Sequence, residues 1–199
     1  MNVTRFFHFR TTYSRGCDDE DQRILFLSQL PGFDTMQHKL YDIRRSFIPA
    51  APSTQDEFNV TSDWFQIDKE SMVIADISHN DGLRVLIFST SENLSILSRS
   101  EFIFGDGTFR ICPWPWFQVF ILHGSVGPSS AVPLVFAFLP DKSRRSYDDL
   151  FKGVKQALEV RQLELAASQF MSDFEFNIRE SFKETFVDVE VKGCFFHFR

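Results

Sequence analysis

Two aspartates stand where acidic side chains could do chemistry. Asp106 closes the apolar run in Glu101-Phe-Ile-Phe-Gly-Asp-Gly-Thr-Phe109, and Asp173 closes a second one just before Phe174-Glu175. A carboxylate where a strand gives way to a turn can be exposed at the rim of a sheet while the strand behind it stays buried, which suits an oxygen ligand for a hard divalent cation. Two such positions on neighbouring strands would form half of a two-metal phosphoryl-transfer site. The sequence ends at Gly193-Cys-Phe-Phe-His-Phe-Arg199, before any obvious third acid.

Each residue also has a plainer reading. Asp before Gly is common in tight turns, so Asp106 alone would be a turn residue. Asp173 could cap a helix, and Glu175 in a first helical turn would favour the helix dipole more readily than serve as a surrogate third acid. Cys194 and His197 have ligand-like spacing but number two, whereas structural zinc takes four ligands; they are kept as auxiliary candidates, and a buried Cys beside a hydrogen-bonded His is the simpler state. His8, Cys17, His38 and His79 show no paired spacing, so zinc is not expected. His123 reads as a core-edge histidine, and Arg144, Arg145, Lys152 and Lys155 as a solvated helix face more readily than a phosphate contact. Cys112, Trp114 and Trp116, interleaved with Pro113 and Pro115, read as a packed aromatic turn and not a base-stacking platform.

The elements that must position these residues follow from hydrophobic period. Ser71–Ile77 and Leu83–Phe88 flank Asn80-Asp81-Gly82 and predict a β-hairpin. Ser89 and Thr90 offer capping hydroxyls for a short helix carrying Leu94 and Leu97. Strands are predicted up to Asp106, over Phe117–His123 and over Val132–Leu139, as an antiparallel meander. Ser143 then caps a helix whose apolar face is Tyr147, Leu150, Phe151, Val154, Ala157 and Leu158. Leu165–Met171 is read as the strand delivering Asp173. Phe174, Ile178, Phe182 and Phe186 form the stripe of a second helix, and Val187, Val189 and Val191 alternate as a last strand closed by Gly193. The result is an α/β fold, β-β-β-α-β-α-β, with helices packed on a mixed sheet. Ahead of it, Met36–Phe47 can be helical, residues 50–62 read as linker, and residues 1–62 form a poorly defined N-terminal region before a domain at 63–199.

Composition sets outer bounds. The 199 residues are 43% hydrophobic and 24% charged, ordinary for a globular chain, and 25 are Phe. So many imply an aromatic-rich core, or an apolar surface that a further segment would cover. A net charge of −6 gives no overall attraction to DNA or to an anionic membrane, so any nucleic-acid contact must be local. Three unpaired-looking cysteines, no membrane-length apolar run and no signal-like start lead to the expectation of a soluble intracellular protein.

Five stretches in order carry a resemblance: Gly105-Asp-Gly-Thr-Phe109, Phe120-Ile-Leu-His-Gly124, Val132-Pro-Leu-Val-Phe-Ala-Phe-Leu-Pro-Asp-Lys142 leading to Tyr147, Ser172-Asp-Phe-Glu175, and Gly193-Cys-Phe-Phe-His197. Together they resemble the MULE transposase domain of Mutator-like elements, over roughly residues 84–199. The resemblance implies a ribonuclease-H-like fold of the DDE superfamily, with Asp106 and Asp173 as the first two acids binding Mg²⁺ or Mn²⁺ for DNA strand cleavage and transfer. It further implies DNA as partner and a nuclear location and is compatible with a homo-oligomer, while the charge and the lack of a membrane-length run argue against a membrane partner. The family's third acid should lie beyond the Cys-x-x-His motif, so the chain is expected to be C-terminally incomplete, with weak or no activity of its own. The competing reading is a domesticated, non-catalytic DNA- or chromatin-associated binding module.

Overall fold

The hairpin forms where the turn chemistry places it. In the computed structural model, which describes residues 33–47, 52–60, 65–127 and 130–194, strands β3 (Val73–Ser78) and β4 (Arg84–Phe88) pair antiparallel. They follow a two-residue pair, β1 (Gln66–Ile67) and β2 (Glu70–Ser71). Thr90 caps α2 (Ser91–Arg99), its hydroxyl accepting from the Asn93 amide at 3.1 Å, and Leu94 and Leu97 are buried as their spacing requires.

The meander β5 (Phe102–Thr108), β6 (Gln118–Ser125) and β7 (Ala131–Leu139) is antiparallel throughout. α3 (Arg144–Val160) begins at Ser143, whose Oγ accepts from the Ser146 amide at 3.2 Å, and all six residues of its anticipated apolar face are buried. β8 (Gln169–Ser172) lies parallel to β5, α4 (Phe176–Thr185) packs beside α3, and β9 (Glu190–Gly193) runs parallel to β8. The seven strands are ordered β3-β4-β7-β6-β5-β8-β9. The hairpin thus extends the same sheet, because β4 pairs antiparallel with β7.

Boundaries moved in three places, each for a local reason. β8 is shorter than Leu165–Met171, because the Ala166 and Ser168 amides donate instead to the carbonyls of Ser98 and Glu101. α4 starts after Phe174 and not at it. The last strand excludes Val187, which is 76% exposed, and Val189, whose amide donates to the Phe186 carbonyl as the helix ends.

One sheet face, carrying Ile103, Phe120, Leu122, Val85 and Ile87, packs under the helices. The Phe residues are concentrated there: Phe170 and Phe182 stack at 3.7 Å and 5°, Phe151 meets both edge-on, and Phe120 joins Phe151 and Tyr147. Edge-to-face and offset arrangements are the favourable ones for ring quadrupoles. On the opposite face, Phe58, Phe65, Phe88, Trp116 and Phe138 form a second aromatic group. Residues 52–60, read as linker, are held there by Arg84, whose guanidinium donates to the Gln55 and Phe58 carbonyls at 2.6 and 3.0 Å.

The chain divides into two units, Met1–Ala50 and Ala51–Arg199. Of the first, the described element is α1 (Phe33–Phe47), which contains the helix read over Met36–Phe47; its Tyr41 and Ile43 are exposed. No helix among the described residues is long and apolar enough to cross a membrane.

Candidate functional site

Asp106 is not at the end of its strand. It is the fifth residue of β5, paired with Ile121, and Gly107 and Thr108 continue the ladder opposite Phe120 and Val119. The turn preference of Asp-Gly loses because β6 supplies partners for two more residues. Asp173 does follow β8 directly. Its Oδ1 accepts from the Glu175 amide at 3.2 Å, turning the chain before α4, so it is not the helix cap; Glu175 occupies that position and makes no capping hydrogen bond.

The register of β5 against β8 bears on where the two acids fall. In the parallel β5–β8 pair, Phe102, Ile103 and Phe104 face Gln169, Phe170 and Met171. Continued two residues past its last pair, that offset would bring Asp173, the first residue after β8, level with Asp106 on the neighbouring strand. Alternation fixes the side. Ile103 and Gly105 point into the helix-covered core, so Phe104 and Asp106 point to the other face, and Asp106 is exposed. Met171 alternates in step with Phe104, and Asp173 follows after β8 has ended. Gly105 is required here, since a Cβ would stand 2.8 Å from the Phe170 ring and 2.9 Å from that of Phe120.

Among the described residues neither aspartate has an ion-pair partner. Lys142 and three of the basic residues of α3 are committed to other partners. Lys142 donates to Glu175 Oε2 at 2.8 Å, while Glu175 Oε1 is buried without a hydrogen-bond partner. Arg144 pairs with Asp148 and Glu184, Arg145 with Asp81, and Lys155 donates to the Thr185 carbonyl. The basic helix face is therefore largely a structural one. Tyr147, fully buried, receives a hydrogen bond from Gln118 Nε2 at 2.9 Å; burial, reinforced by the Glu175 and Asp173 charges, pushes its phenol far above the usual range and keeps it protonated.

His123 lies on the aspartate face, opposite Phe104 and diagonal to Asp106. Burial holds its pKa below the ordinary histidine value, and the Asp106 charge opposes that shift without cancelling it. A depressed imidazole contributes stability that is intact above about pH 6.5 and is lost as pH falls toward the folded value, because the unfolded chain takes up the proton first. Urea midpoints at about pH 7.5 and 5.5 should therefore differ more in the native chain than in His123→Gln. Equal pH sensitivity in the two would contradict this placement.

No group of three or more His, Cys, Asp or Glu side chains able to hold a metal occurs among the described residues. Cys194 is half-buried, its amide donating to the Ser172 carbonyl at 2.6 Å; His197 lies outside the described residues. Of the other residues weighed as zinc ligands, His79 bonds Asp149 at 2.6 Å, His38 is exposed on α1, and His8 and Cys17 also lie outside.

The aromatic turn is only half packed. Trp116 is 5% exposed and donates to the Arg84 carbonyl at 3.0 Å, whereas Trp114 is 71% exposed. Spacing could have separated them: Trp116 lies just before β6, and Trp114 sits between two prolines.

Residues 102–199 match the family model described as MULE transposase domain. No curated protein and no solved structure matches the chain.

Proposed function

From the premise that residues 102–199 of this chain are a MULE transposase domain, we propose that Asp106 and Asp173 are two carboxylate ligands of a Mg²⁺ or Mn²⁺ centre for DNA strand cleavage and transfer in the nucleus. What supports this is the register of the parallel β5–β8 pair, which, continued two residues, brings Asp173 level with Asp106; among the described residues no Lys or Arg is ion-paired to either. Hard divalent cations take such oxygen ligands and fill remaining positions with water or phosphate. The β-β-β-α-β-α-β succession, with acids on its first and fourth strands, supports the ribonuclease-H-like, DDE-type reading.

The residues present fit such a cation as two of its ligands. Bound there, the metal would supply an activated nucleophile and offset charge developing at the scissile phosphate. What the chain itself contributes is placement. β5 and β8 fix the carboxylates, and the Glu175 amide orients Asp173. With two acids gathered among the described residues, cleavage by the chain alone is expected to stay near background. The same observation favours a second reading, a DNA- or chromatin-associated module without catalysis.

Manganese should raise the melting midpoint of the native chain by a few degrees, since a ligand confined to the folded state stabilises it and each kcal/mol shifts a domain of this size by about 2–4 °C. Asp106→Asn and Asp173→Asn should each remove the rise. A rise that persists in both variants would sink the metal site. DNA binding without any manganese response in the native chain would favour the non-catalytic module.

A further inference from the structure

We propose that the connection from β5 to β6, residues 109–117, is a stacking surface for unpaired nucleotides of single-stranded DNA beside the aspartate pair. The inference deepens the proposed function and rests on its premise that DNA is the partner. Within nine residues the loop exposes Phe109 at 48%, Ile111 at 68%, Trp114 at 71% and Phe117 at 51%, with the Arg110 side chain also exposed. Solvated apolar surface on this scale calls for an occupant.

The rings are held in place. Trp114 Nε1 donates to the Ser53 carbonyl at 3.3 Å, which fixes the indole by its edge while most of the residue remains accessible. Phe109 and Phe117 pack edge to face at 5.4 Å and 70°. Rings already oriented lose little freedom when a base stacks on them. Position selects the occupant: Phe109 follows Asp106 by three residues. Lys142 Nζ sits 4.9 Å above the Phe109 ring while paired to Glu175, two residues after Asp173. One lysine thereby joins the aromatic loop to Glu175, in the turn that follows Asp173.

Duplex bases hide their π faces in the stack, so exposed rings discriminate for unpaired bases. A chain of net charge −6 draws little affinity from phosphates overall, which leaves stacking, helped locally by the exposed Arg110, as the main attraction.

The test uses the full chain in EDTA, so that no cleavage is involved. Fluorescence anisotropy would follow binding of a labelled oligothymidylate of about a dozen nucleotides and of a blunt duplex of equal length. The single strand should bind more tightly. Trp114→Ala should weaken it by about 5- to 100-fold, Trp114→Phe should retain most of the affinity, and Tyr41→Ala, an exposed ring in the other unit, should change nothing. Unchanged affinity in Trp114→Ala, or equal dependence on Trp114 for strand and duplex, would overturn the proposal. So would self-association, measured by sedimentation, that Trp114→Ala abolishes, because the patch would then belong to a protein contact. Strand binding that depends on Trp114 without any manganese response would uphold this surface while removing the metal centre; the reverse pattern would remove the surface alone.

Discussion

Phe170→Ala should destabilise the protein by about 3–5 kcal/mol, the usual cost of emptying a fully buried phenylalanine site. Phe170 is 0% exposed, stacks on Phe182 at 3.7 Å and meets Phe151 at 6.0 Å. It also lies directly under Gly105, whose missing side chain is the space its ring occupies. The surrounding rings come from β6, α3 and α4, so collapse into the cavity would have to move several elements at once. Against a total stability of about 5–15 kcal/mol the loss is large, and it corresponds to a midpoint roughly 6–20 °C lower. Denaturant titration would read it, with an unchanged slope showing that the two-state transition survives. Phe170 also pairs with Ile103 in the ladder that aligns Asp106 with Asp173. The manganese response should therefore weaken in this variant even where it remains folded. A loss below about 1 kcal/mol would mean that the aromatic core is not the main support of the β5–β8 pair.

Arg84→Met should cost about 2–4 kcal/mol. Removing one member of a buried ion pair typically costs about 3–5 kcal/mol, because the other charge stays behind. Here Asp76 keeps 29% of its side-chain exposure and recovers part of its hydration. The guanidinium makes a bidentate contact to Asp76, at 2.7 Å from Nε and 2.6 Å from Nη2, and also holds the Gln55 and Phe58 carbonyls. Methionine keeps most of the aliphatic stem, so the loss reports on the polar contacts more than on packing. The variant should also release residues 52–60, and with them Phe58 from its place against Trp116 and Phe138. Limited proteolysis within that segment, together with denaturant titration, would show both effects. Combining Arg84→Met with Asp76→Leu should recover part of the stability, since no charge is then left unpaired. Continued protection of residues 52–60 in Arg84→Met would show that the aromatic contacts alone hold the segment.

Local pattern determined the elements. The Asn80-Asp81-Gly82 turn, the capping hydroxyls of Thr90 and Ser143, and the buried face of α3 could all be read from spacing, because turn preference, capping and helical period act within a few residues. Motif order along the chain also pointed to the MULE transposase domain that the family model matches over residues 102–199. Tertiary structure decided what depends on distant partners. β6 carried β5 past Asp106, where turn preference alone would have stopped it. Pairing of β4 with β7 placed the hairpin in the main sheet, and Arg84 drew an apparent linker onto it. The parallel register of β5 against β8, Phe104 opposite Met171, is an alignment between residues far apart in the chain that no local preference encodes. The packed sheet likewise buried Trp116 against Phe138 and left Trp114 71% exposed, a difference that the spacing of the two residues hinted at but did not fix.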